Sequence, residues 1–173
     1  DAVLALPAVD VEAVRNAHFK VALDAVNSVG GIIMPRLLER MGVECICVNC
    51  EPTGEFAHNP EPLPANLTEL SDAVKVNNAD LGISVDPDVD RLALICEDGQ
   101  PFGEEYTLVS VADYLLSRVY NEALQTGKSM DEIAAPYAMT TSSNLSSSRA
   151  LRDVTEQYGG DYYAAAVGEV NVT

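Results

Sequence analysis

The segment Ser84-Val85-Asp86-Pro87-Asp88-Val89-Asp90-Arg91 constrains this chain more than any other. It sets a carboxylate at every second residue, ends in an arginine and is framed by two apolar runs. The frames, Asp80 to Val85 and Arg91 to Cys96, have the length and composition of strands, which places the acids on the turn between them. Regular backbone could not gather these acids. In a strand, alternate residues share a face but stand roughly 6.6 Å apart, and in a helix a two-residue step points them to nearly opposite sides. The chain must therefore curl, and Pro87 discourages both regular structures there. Carboxylates drawn to about 4 Å repel by roughly 4 kcal/mol per pair at an effective dielectric near ~20, more than one adjacent Arg91 can offset. A hard divalent cation can offset it, and an all-oxygen set suits Mg²⁺, Mn²⁺ or Ca²⁺ rather than zinc.

A solvated acidic turn would explain one isolated pair of aspartates, since charge runs usually face water. Strict alternation, the abutting arginine and the flanking strands favour a cation site. Counted as a calcium loop from Asp86, the chain puts Asp88, Asp90 and Glu97 at the third, fifth and twelfth positions, but Arg91 stands sixth, where glycine is needed. A phosphatase of the haloacid-dehalogenase type would use Asp86/Asp88 or Asp88/Asp90 at a strand end, yet no supporting lysine and acidic pair stands out downstream.

With its neighbours Ala79-Asp80-Leu81-Gly82-Ile83 and Gly103-Glu104-Glu105-Tyr106, the loop resembles the metal-binding segment of the α-D-phosphohexomutases, the family of phosphoglucomutase, phosphomannomutase and phosphoglucosamine mutase. The family pattern is commonly D-G-D-G-D-R. Pro87 and Val89 replace both glycines here, which keeps the acids and stiffens the loop. The resemblance extends over nearly the whole chain, and it implies an α/β fold: a mixed sheet with flanking helices, the middle domain of that family, followed by an incomplete β-α-β unit. It also implies that residues 1–17 are a linker helix from a preceding domain, 18–128 the metal-binding domain and 129–173 the start of a third domain.

A length of 173 residues is ample for a core, and 47% hydrophobic against 21% charged residues is a globular balance. No apolar run reaches membrane-span length and the start Asp1-Ala2-Val3-Leu4 lacks a basic signal-peptide region, so a soluble, cytoplasmic protein is expected. A net charge of −17, from 10 basic and 27 acidic residues, argues against nucleic acid or anionic membrane as partners. It also leaves few cations to hold a phosphosugar dianion, so a basic domain or partner is expected elsewhere. Of four cysteines, Cys45 and Cys47 alternate on one strand face and read as buried thiols. A zinc site would need four well-placed ligands, and His58 is the only histidine nearby.

From the start, a helix capped by Asp10 precedes a strand over Phe19 to Leu23, a helix from about Ile32 to Met41 ended by Gly42, and a strand over Val43 to Val48. Gly30-Gly31 reads as a strand-to-helix turn, with Pro35 at an early helical position, rather than as a phosphate cradle. The proline-rich loop Glu51 to Pro64 follows, and its His58 receives no catalytic role. A helix from Asn66 or Thr68 to about Asn77, a turn centred on Asp98-Gly99 and a helix over Thr107 to Tyr120, with Leu108, Val111, Ala112 and Leu115 on one face, complete the domain. Glu104 and Glu105 read as helix-start acids. Beyond a polar boundary at Asn121 to Asp131, a strand over Ile133 to Met139, a helix over Asn144 to Tyr158 and a strand over Tyr162 to Val167 are expected, with Thr141-Ser142-Ser143-Asn144 as the helix cap.

By resemblance, the parent enzyme moves phosphate between the 1- and 6-positions of a hexose through a phosphoserine supplied by an N-terminal domain, and a C-terminal domain binds phosphate. Asp86, Asp88 and Asp90 would hold Mg²⁺, Arg91 would help bind the phosphate or brace the loop, and Glu169, in Val167-Gly168-Glu169, would face the substrate. The segment alone would be inactive. A stand-alone acidic module that binds a divalent cation or a partner is the alternative.

Overall fold

The computed structural model describes residues 1–133 and 139–172, with the side chains of Asp131 and Glu169 outside the description. The chain divides into two units, Asp1–Glu104 and Glu105–Thr173. In the first, helix α1 (Val11–Ala17) leads to strand β1 (Lys20–Asp24), helix α2 (Gly30–Arg40), strand β2 (Glu44–Val48), helix α3 (Thr68–Asn77) and strands β3 (Leu81–Val85) and β4 (Leu92–Cys96). The sheet runs β2-β1-β3-β4, with β1 parallel to both neighbours and β4 antiparallel to β3. This is the expected mixed sheet.

Local signals set most of the boundaries. The Asp10 carboxylate accepts the Ala13 N–H at 2.9 Å and starts α1. At the end of α2, Gly42 turns left-handed (φ 76°), its N–H reaching the Glu39 carbonyl and that of Val43 reaching Leu38. Pro35 lies inside α2 rather than in its first turn, because the helix begins two residues earlier than expected, at Gly30. The Asp98-Gly99 turn forms as expected, with the Gly99 N–H on the Cys96 carbonyl at 2.9 Å.

Strand β1 is buried on both sides, as its unbroken apolar run demands. Val21 and Leu23 pack with Leu38 and Val43 on one face, while Ala22 packs with Leu67, Leu70, Val74 and Ile95 on the other. The step from β1 to β2 runs one way across the sheet and the step from β2 to β3 runs back past β1, so crossovers of one hand leave α2 and α3 on opposite faces. The direction of winding thus reverses beside the carboxyl ends of β1 and β3, where open α/β sheets bind ligands.

Strand β2 lies at the sheet edge, and this changes one expectation about its thiols. Cys45 and Cys47 do share a face, with sulfurs 3.9 Å apart, but only Cys45 is partly buried, and Cys47 is exposed. Burial, and then the neighbouring Cys47, pushes the Cys45 and Cys50 thiols up to about 12. All four cysteines are free.

In the second unit, helix α4 (Glu104–Thr126), short helix α5 (Met130–Ile133), strand β5 (Thr140–Asn144), helix α6 (Ala150–Gln157) and strand β6 (Asp161–Ala165) form a β-α-β arrangement with β5 parallel to β6. Helix α4 is longer than expected, because Asn121 to Thr126 contains no breaker and Gly127, at φ 68°, is the first residue able to end it. Its buried residues are Ala112 and Leu116, packed with Leu151, whereas Leu108, Val111 and Leu115 are exposed. The division into units falls between Glu104 and Glu105, at the first residues of α4.

The strand expected over Ile133 to Met139 falls largely on residues outside the description, and the observed β5 begins at Thr140. Thr141-Ser142-Ser143-Asn144 is strand rather than helix cap. Thr141 and Thr155 share a 2.6 Å hydroxyl contact, and Ser143 meets the Tyr162 hydroxyl at 2.9 Å, so polar residues serve as strand interior. The Asn144 side chain then accepts from the Ser146 N–H and hydroxyl, which competes with helix and delays α6 to Ala150, leaving Leu145 exposed. Among the described residues no helix is long and apolar enough to cross a membrane.

Candidate metal centre

The loop between β3 and β4 gathers its acids as the spacing requires. Asp86, Asp88 and Asp90 each present an oxygen within 4.8 Å of the other two, and among the described residues no second group of three acidic, histidine or cysteine side chains comes so close. The curl is built on Asp86. Its carbonyl accepts the Val89 N–H at 3.1 Å, and its carboxylate Oδ1 accepts the N–H groups of Asp90 and Arg91 at 3.0 and 3.1 Å. Oδ2 accepts Arg91 Nε at 2.8 Å. Val89, standing where the resembling family commonly has glycine, is held left-handed at φ 64°. That conformation costs a β-branched residue about 1–3 kcal/mol, and such strain collects at working sites.

The three acids are not equivalent. Asp86 is buried, whereas Asp88 and Asp90 are exposed. Burial pushes the Asp86 carboxyl up, but the hydrogen bonds from Arg91 and from the Asp90 N–H outweigh it and bring the group down to about 2. Asp90 is pushed up by its contact with Asp86 and by the charge of Asp88. Arg91, whose Nε stands 3.8 Å from Asp90 Oδ1, is raised chiefly by its bond to Asp86.

The Asp86 shift carries a sign. A depressed carboxyl stabilises the fold above its ordinary value of 3.8, and that contribution drains away as pH falls toward about 2. In metal-free buffer the urea midpoint is expected to drop between pH 4 and pH 2 in the native chain. The drop should be smaller in Asp86→Asn, and equal slopes would refute the assignment.

The donor set fits a hard cation. All three donors are carboxylate oxygens, and bonds of about 2.1 Å would separate neighbouring oxygens by about 3.0 Å and opposite ones by about 4.2 Å. Small rotations of the exposed Asp88 and Asp90 span the difference. With Oδ1 of Asp86 already accepting twice, Oδ2, which accepts once, is the oxygen left for an ion.

Of the residues singled out in the sequence, Asp86, Asp88, Asp90 and Arg91 come together. Glu169 lies in a turn of 3-10 helix (Glu169–Asn171), and its side chain falls outside the described residues. Glu104 and Glu105 open α4, as helix-start acids should. Two further residues escaped notice. Asp24, fully buried at the end of β1, receives His58 Nε2 on Oδ2 at 2.9 Å, and Glu61 Oε1 lies 3.5 Å from Arg91 Nη1. The available signal for Asp24 was an acid closing an otherwise apolar strand. Glu61 had none, since the pairing spans 30 residues.

The chain is similar to known proteins over most of its length. A family profile described as phosphoglucomutase/phosphomannomutase, alpha/beta/alpha domain II, matches residues 1–99. A phosphoglucomutase/phosphomannomutase of Thermococcus kodakarensis is 33% identical over 162 residues, covering 88% of this chain and 36% of that protein. A probable phosphoglucosamine mutase of Methanopyrus kandleri is 29% identical over 164 residues, covering 94% of this chain and 32% of that protein. The crystal structure of a phosphoglucomutase/phosphomannomutase family protein from Burkholderia thailandensis superposes with a TM-score of 0.73 at 25% identity, over 94% of this chain and 33% of that one. The chain spans about a third of the length of these relatives.

Proposed function

The chain belongs to the phosphoglucomutase/phosphomannomutase family, and from that footing we propose that it is the cation-carrying part of a cytoplasmic phosphohexomutase, which transfers phosphate between the 1- and 6-positions of a hexose. The observation that carries the reading is the convergence of Asp86, Asp88 and Asp90 on a loop braced by Arg91. In this reading the three aspartates hold Mg²⁺, which supplies Lewis-acid stabilisation of charge on the transferring phosphoryl group. Asp86 keeps the loop curled and its own oxygen aimed inward. Asp88 and Asp90 supply the mobile donors. Arg91, anchored through Nε and half exposed, has guanidinium N–H groups left that can donate to a phosphoryl oxygen.

The phosphoryl-transfer steps of this chemistry need a serine nucleophile and a phosphate-binding domain, both assigned to other parts of the parent enzyme. Residues 18–128 form its metal domain in this proposal, 1–17 the linker before it and 129–173 the start of the next domain, with Glu169 facing the sugar. The chain alone is inactive. Mixing it with the serine-bearing and phosphate-binding domains of the parent should restore turnover of hexose 1-phosphate in Mg²⁺, and Asp88→Ala should abolish it. Restored turnover that is indifferent to Asp88 would overturn the assignment. A stand-alone acidic module would bind the cation and restore nothing.

A further inference from the structure

The loop from Cys50 to Leu63 supplies none of the three converging aspartates, yet contacts tie it to the carboxyl end of β1 and to Arg91. Asp24 accepts the Val26 N–H on Oδ1 at 2.9 Å, and its Oδ2 faces His58 Nε2 at 2.9 Å and Asn49 Nδ2 at 3.4 Å. The other ring nitrogen of His58 stands 2.8 Å from the Asn59 carbonyl oxygen. Both ring nitrogens of His58 thus stand within hydrogen-bonding distance of an acceptor, and the ring ties the loop to the end of β1. Three residues on, the Glu61 N–H donates to Asn59 Oδ1 at 3.1 Å, and the Glu61 carbonyl accepts from Asn66 Nδ2 at 2.8 Å. The backbone of Glu61 is therefore fixed from both directions before its side chain reaches Arg91.

A guanidinium held only through Nε can still swing its outer edge. In Arg91 that outer edge meets Glu61 Oε1, 3.5 Å from Nη1. Both side chains are about half exposed, so the pair adds little stability and acts on direction instead.

We propose that Asp24, His58 and Glu61 are positioning residues for Arg91: the Asp24–His58 contact fixes the loop that sets Glu61, and Glu61 sets the angle of the guanidinium. Its consequence for phosphoryl binding rests on the function proposed above, whereas the orientation itself does not.

The test reads the guanidinium directly. Nitrogen-15 spectra of the whole chain, with the Arg91 signals identified by their loss in Arg91→Lys, report rotation about its Cζ–Nε bond. Glu61→Ala and His58→Ala should each speed that rotation about fivefold or more while the Nε–H signal from the Asp86 contact persists, and the double variant should add little. His58→Gln, whose amide N–H can still donate to Asp24, should keep the slow rotation. Glu61→Ala lies on the surface and leaves the fold intact, so unchanged rotation in that variant overturns the proposal, as does unchanged rotation in a folded His58→Ala. In a second arm, Mn²⁺ and inorganic phosphate serve as probes in phosphorus-31 relaxation. Phosphate affinity should fall several-fold in Glu61→Ala with Mn²⁺ affinity unchanged. Faster rotation with phosphate binding unaltered would support the positioning and reject Arg91 as a phosphoryl ligand.

Discussion

On the proposed reading, affinity for Mg²⁺ is expected to fall on the order of 100-fold when Asp88 is replaced by alanine, because the change would remove one ligand and one of three charges that tune such a site. Asp88 is exposed, so its loss should leave the sheet and the loop intact. The metal-free variant should even be slightly more stable than the native chain. Asp90 is pushed up by Asp86 and then by Asp88, so removing Asp88 relieves part of that repulsion. Asp86→Ala should behave differently, because it strands three donors, the N–H groups of Asp90 and Arg91 and the Arg91 guanidinium. Removing one partner of a buried ion pair costs about 3–5 kcal/mol, and the half-exposed Arg91 puts this case at the lower end. Calorimetric Mg²⁺ titration together with urea unfolding separates the two. If Asp88→Ala binds Mg²⁺ as tightly as the native chain, the acids are a solvated turn.

The contrast between those two aspartates shows where reading the sequence reaches its limit. Alternation and Pro87 were enough to predict a curl, since no regular backbone brings alternate residues together. They could not say that Asp86 alone would be buried. That follows from Arg91 Nε and two backbone N–H groups converging on one carboxylate, a three-dimensional fact. The four strands of the first unit were legible because their apolar runs are interrupted by strong punctuation, Gly42 and Asp98-Gly99 among them. Periodicity failed in the second unit. Leu108, Val111 and Leu115 share a stripe with Ala112, but burial follows Ala112 and Leu116, so the stripe was placed one step around the helix from the face actually packed. The polar run Thr140 to Asn144 resisted prediction for another reason: the hydroxyls of Thr141 and Ser143 are satisfied by Thr155 and Tyr162, partners that only the fold supplies.

The second large effect is expected at Gly31, where alanine should destabilise the first unit by about 3 kcal/mol or more. A Cβ there would lie 2.1 Å from the Cys50 carbonyl oxygen, 2.7 Å from its carbon and 3.0 Å from its Cα. All three are backbone atoms, so no rotamer change relieves the clash, and α2 must move away from the end of β2. Gly31 needs no left-handed conformation, which makes the cost purely one of close approach. Gly54 provides the control. It sits at φ 78° with nothing within 4 Å of a built Cβ, so Gly54→Ala should cost only about 1 kcal/mol, from backbone strain. Urea unfolding of both variants tests the pair, and a Gly31→Ala cost no greater than that of Gly54→Ala would show that α2 and Cys50 do not pack as described. Because Cys50 begins the loop that carries His58 and Glu61, the same substitution should also loosen Arg91. The glycine pair thus acts through close approach, Gly31 letting α2 meet Cys50 and Gly30 standing against Val85 and Val89 of the acidic loop.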